Sequence, residues 1–155
     1  MTPGGPVGGE GRRIVQASWA GTLALALTSV VAAVDRSLGA VALVVALGLF
    51  GAGVVAFAAA YVGAVARSRT DDIGVWGLFF LEGSAPPGVR RGLLASAATQ
   101  AVVALAAAAA HPNTSLAFGI LTPLYGVALA GLWGARHGTF PSRPAPEPPR
   151  RRRRP

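Results

Sequence analysis

Residues 38–66 run for 29 positions without a charged side chain. As a helix rising about 1.5 Å per residue, such a run is longer than the hydrocarbon core of a bilayer, which is about 30 Å thick. Three further uncharged stretches follow the same rule: 21 residues at 14–34, 18 at 93–110 and 21 at 115–135. Inside lipid no water satisfies the backbone, so each stretch has to close its own hydrogen bonds as a helix. The predicted fold class is therefore all-α, a polytopic membrane protein built as a bundle of four transmembrane helices.

Composition agrees with that solvent. Of the 155 residues 52% are hydrophobic and 13% are charged, against about 25% charged in an average soluble domain. With no cysteine, the chain has no disulfide, no Cys-ligated zinc and no thiol nucleophile. All 14 basic residues are arginine, and Ala, Gly and Pro abound, as in a chain from a GC-rich bacterial genome. The net charge of +8 does not read as a nucleic-acid surface, because five of the charges form the single run Arg150, Arg151, Arg152, Arg153 and Arg154 beside membrane spans.

The organisation follows from the breaks between the spans. Residues 1–13, Gly- and Pro-rich and without an apolar period, read as a disordered cytoplasmic leader. Asp35, Arg36 and Ser37 form a short outer turn, and His111, Pro112, Asn113 and Thr114 another. Residues 73–81 are apolar but too short to cross, and with Trp76, Phe79 and Phe80 they predict a short interfacial segment at headgroup level between the second and third spans. Residues 136–155 read as a disordered Pro/Arg-rich cytoplasmic tail.

Four crossings divide the arginines unequally. One side holds Arg12, Arg13, Arg67, Arg69, Arg90, Arg91, Arg136, Arg143 and the run from Arg150 to Arg154; the other holds Arg36 alone. By the positive-inside rule the first side, with both termini, is cytoplasmic, in a bacterial inner membrane. Trp19, Trp76 and Trp133 fall near that side as expected interfacial anchors, with Tyr61. A second reading takes Arg12, Arg13 and the first stretch as a secretory signal peptide cleaved before Val34, which leaves the later spans in the same orientation.

Within the spans the polar residues are few and patterned. On a helical wheel Ser18, Thr22 and Ser29 fall within about 40° of one another. Ser96, Gln100, Val103 and Ala107 share a face of the third span, and Ser115, Gly119, Thr122, Gly126 and Ala130 a face of the fourth. The second span offers Gly48, Ala52, Ala59 and Gly63. Small residues at this spacing let helices approach closely in lipid, and hydroxyls and amides bond between them. The same stripes read alternatively as a weakly polar path, with Gln100 its most telling member, since a midspan amide facing acyl chains would leave its polar atoms unpaired. Pro123 removes the hydrogen bond to Gly119 and predicts a kink in the fourth span.

No catalytic, cofactor-binding or metal constellation is visible. The spans carry no ionisable group of the kind that coupled transport requires. Asp71 and Asp72 are adjacent and lack a third ligand, while His111 and His137 are lone turn and juxtamembrane residues. The expected partners are the lipid bilayer, anionic lipid headgroups attracted to Arg150–Arg154, and another membrane protein or a second copy of this chain. Two stretches, SRTDDIGVWGLFFLEGSAP at 68–86 and LAFGILTPLYGVALAGLWGARHGTFP at 116–141, resemble short four-span actinobacterial integral membrane proteins of unassigned function. That resemblance implies class and source, and no active-site residues.

Overall fold

The computed structural model describes residues 9–143. Five α-helices are present: α1 (Gly9–Val34), α2 (Gly39–Arg67), α3 (Val75–Phe79), α4 (Pro87–Ala110) and α5 (Pro123–His137), with 3-10 turns at Arg36–Leu38 and Ser115–Leu121. Four helical segments, Gly9–Val34, Arg36–Arg67, Pro87–Ala110 and Ser115–His137, are long and apolar enough to cross a membrane. The chain is a multi-pass, all-α membrane protein.

Three boundaries differ from the sequence reading. α1 starts at Gly9, inside the stretch read as a leader, with Glu10 in its first turn, where a carboxylate complements the positive end of the helix dipole. α4 starts at Pro87, where the ring's fixed φ suits a first helical turn and its missing N–H costs nothing. The tail read as starting at 136 stays ordered through Arg143: α5 continues to His137, and Asp72 N donates to Pro141 O at 2.8 Å and Arg143 N to Thr70 O at 2.8 Å. The segment after α5 thus lies antiparallel to the loop that leaves α2.

The fourth span departs from a kinked α-helix. It is a 3-10 turn over Ser115–Leu121 joined at Thr122 to an α-helix that Pro123 opens. Proline cannot donate to Gly119 O, so that carbonyl takes Thr122 N at 3.0 Å and the Thr122 hydroxyl instead. In lipid an unclaimed carbonyl is costly, which explains a 3-10 stretch longer than is common. At about 2.0 Å per residue for seven residues and about 1.5 Å for fifteen, the two pieces together still span the core.

α5 is the central element, packed on α1, α2, α3 and α4. Its small residues make that possible. A Cβ at Gly53 on α2 would sit 2.8 Å from Tyr125 N and 2.9 Å from Tyr125 Cα, so the α2 and α5 backbones nearly touch. The buried face of α2 is Ala42, Ala46, Gly53, Ala60 and Ala64. Gly48, Ala52 and Ala59 of the predicted stripe point outward, and only Gly63 lies against α5, near Ala135. Small residues occur on every side of α2, so its own sequence does not fix its rotation.

α3 and the loop after it bury one side in the bundle. Leu78 packs with Ala60, Ala64 and Ala135, and Leu81 is fully buried with Ile14, Val89, Leu93 and Trp133. Leu81 adopts φ 56, a left-handed conformation that costs a non-glycine residue about 1–3 kcal/mol. Full burial of its side chain contributes about 1.5–3 kcal/mol, which offsets that strain. Trp76, by contrast, is exposed and stacks obliquely on Phe80, with ring centroids 4.8 Å apart.

Candidate functional site

The largest polar feature between the spans is a buried cluster where α1, α4 and α5 meet. Ser18 and Thr22 lie one turn apart on α1, and Ser96 and Gln100 one turn apart on α4, so each helix presents two polar groups on one face. Ser18 Oγ and Ser96 Oγ are 2.7 Å apart, as are Thr22 Oγ1 and Ser96 Oγ. Thr22 also donates to Ser18 O at 3.0 Å.

Gln100 ties this cluster to the third helix. Its Nε2 donates to Thr22 Oγ1 at 2.9 Å, with longer contacts of 3.5 Å to Ser96 Oγ and Ser18 O. Its Oε1 accepts from Gly126 N at 3.1 Å. Gly126 is the fourth residue of α5, and its N–H points back toward the carbonyl of the cap residue Thr122, which also accepts Tyr125 N at 2.9 Å. The Gln100 amide gives that N–H a second acceptor and binds α4 to the start of α5. Gln100, Ser18 and Ser96 have no exposed surface, and Thr22 is 2% exposed. Both ends of the amide are engaged in protein.

Close approach is a condition of that geometry. A Cβ at Gly126 would fall 2.8 Å from both Cα and Cβ of Ala97 and 3.0 Å from Gln100 Oε1. Beside it, a Cβ at Gly21 would run into the Tyr125 ring, whose hydroxyl donates to Ala17 O at 3.0 Å.

The other predicted positions fall as follows. Gly119, Thr122 and Ala130 are buried on the inner face of the fourth span, and Ser29 is 9% exposed on α1, outside the Gln100 cluster. The Thr122 hydroxyl is spent on Gly119 O and makes no bond to Gln100. Pro123 opens α5 where a kink within one α-helix was expected. Trp19 and Trp76 are exposed, at 37% and 65%. Trp133 corrects its reading as an interfacial anchor: it is 3% exposed, because α5 is enclosed by the other helices and Leu81 covers its end. Arg150–Arg154 lie outside the described residues.

Arg67, which the sequence marks only as one of the arginines on the cytoplasmic side, has a structural role as well. Its Nε and Nη2 donate to Asp71 Oδ2 at 3.0 and 2.8 Å, and its Nη1 and Nη2 donate to Ala135 O and Gly138 O at 3.0 and 3.1 Å. The guanidinium sits 5.4 Å from the centroid of the Phe140 ring. One side chain from the end of α2 thus caps the carbonyls at the end of α5. The i, i+4 spacing of Arg67 and Asp71 was the available signal; the α5 carbonyls were not visible in sequence. At the opposite end Ser37 N donates to Asp35 Oδ1 at 2.9 Å, and the Ser37 side-chain and backbone bonds lower the Asp35 pKa from its ordinary value.

Among the described residues no three of His, Cys, Asp or Glu gather closely enough to hold a metal ion. The fold and cluster define a multi-pass membrane protein whose span interiors are cross-bonded. The chain matches no family model, no curated protein and no solved structure.

Proposed function

We propose that this protein is a non-enzymatic structural or accessory component of the bacterial cytoplasmic membrane, with both chain ends in the cytoplasm. The observation that carries the reading is the closed bonding of Gln100: its amide joins α1 to the start of α5 and has no exposed surface. A conduit would need Gln100, Thr22 and Thr122 to face water, and their exposures are 0%, 2% and 0%. Such a cluster holds helices together and leaves the outer surfaces to bind neighbours. The arginine asymmetry supports the orientation. Its partners in this reading are anionic lipid headgroups near Arg150–Arg154 and a second membrane protein or another copy of the chain.

The test is affinity purification of tagged protein from its own membranes in mild detergent, paired with solute-flux measurements in proteoliposomes. The expected result is a stoichiometric membrane partner or a defined homo-oligomer, and no flux above empty vesicles. Flux that disappears in Gln100→Leu while assembly is retained would overturn the reading in favour of a small transporter or pore.

A further inference from the structure

Away from the Gln100 cluster, a cavity of about 810 Å³ opens at the end of α4 nearest the chain termini. It lies within the ~300–1,000 Å³ range of small-ligand sites. Its walls are of two kinds. Leu81, Ala85, Leu94 and Ala95 make an apolar slot, and Arg90 and Arg91 line the charged part.

Among the described residues no carboxylate neutralises the charge there. Among the described residues, the ion pairs join Arg67 to Asp71 and Arg136 to Glu10, and neither Arg90 nor Arg91 meets a carboxylate. Arg90 commits only Nε, to Phe80 O at 3.1 Å, which fixes the stem and leaves the two Nη groups as donors. Both arginines are exposed. The exposed Trp76 and Phe80 pair lies on the adjoining segment, the aromatic composition found at a headgroup boundary.

A fork of guanidinium donors above an apolar slot, at the end of a membrane span, complements a molecule with a phosphate at one end and hydrocarbon at the other. We propose that this cavity binds one anionic phospholipid of the leaflet on the terminus side, its phosphate between Arg90 and Arg91 and an acyl chain along Leu94 and Ala95. The site is separate from the arginine run at 150–154, which offers charge without an apolar slot.

Native mass spectrometry of the full-length protein in non-ionic detergent, titrated with phosphatidylglycerol or with phosphatidylcholine, tests it. One phosphatidylglycerol should be retained saturably, on the order of tenfold more tightly than phosphatidylcholine. Arg90→Gln with Arg91→Gln should remove that preference, and replacing Arg150–Arg154 by Gln should leave it. Because Arg90 also holds Phe80 O, Arg91→Gln alone is the second variant, and it should weaken binding with that contact intact. Ala95→Trp, which fills the slot from an exposed position, should weaken binding without changing charge, and inorganic phosphate should not displace the lipid. Equal binding of the two lipids, wild-type retention in the arginine variants, loss in the 150–154 variant, undiminished binding in Ala95→Trp or displacement by phosphate would each overturn the proposal.

Discussion

Replacing Gln100 by Leu keeps side-chain volume and removes both polar ends of the bridge. Thr22 Oγ1 loses one partner but keeps Ser18 O at 3.0 Å and Ser96 Oγ at 2.7 Å, so its loss is small. Gly126 N loses the Gln100 acceptor and keeps the direction of the helical bond toward Thr122 O, which it shares with Tyr125 N. Its bond to Oε1 is 3.1 Å, and the position it faces has no exposed surface for water to enter. The average interhelical hydrogen bond measured in a membrane protein is worth about 0.6 kcal/mol. Two are lost, to Thr22 and to Gly126, so the destabilisation should be about 1 kcal/mol. Reversible unfolding in mixed micelles, followed by the fluorescence of buried Trp133, measures it. A cycle with Thr22→Val separates the Thr22 bond from the Gly126 bond, and its coupling should be about 0.6 kcal/mol. A Gln100→Leu protein as stable as wild type would refute the bridging argument.

Further outcomes follow from the same contacts. Gly53→Ala should destabilise by about 1–3 kcal/mol, because its Cβ meets α5 backbone that no rotamer change can move; unchanged unfolding would contradict the α2–α5 packing. Gly126→Ala should cost a similar amount through Ala97, about 1–3 kcal/mol, in the same assay. Arg67→Gln should speed amide exchange of Asp72 and Arg143, whose N–H groups tie the post-α5 segment to its neighbour, while exchange within α4 stays as it was. Since the chain has no native cysteine, Ser37→Cys should label from the periplasmic side of intact cells and Ser142→Cys only after permeabilisation; the reverse pattern would invert the proposed orientation.

The number of crossings was legible in the sequence because it depends on run length and charge, properties of the chain alone. The inward faces of the first, third and fourth spans were legible too: Ser18, Thr22, Ser96 and Gln100 are polar marks on otherwise apolar helices, and lipid does not solvate an amide. α2 carries no such mark. With glycine and alanine on every side, its buried face was settled by where the α5 backbone lies against Gly53. Trp133 read as an anchor because sequence gives depth but not azimuth; enclosure of α5 by its neighbours put the ring inside. Arg67 read only as one charge of the cytoplasmic side because its acceptors, Ala135 O and Gly138 O, lie at the end of another span. Pro123 showed that a hydrogen bond would be lost, and the tertiary structure decided how: a 3-10 turn satisfies Gly119 O, and Gln100 from α4 reaches Gly126 N on the helix that follows. Solvent preference is additive along the chain and so was fixed by sequence, whereas pairing between helices depends on relative rotation and approach, which exist only once the bundle has formed.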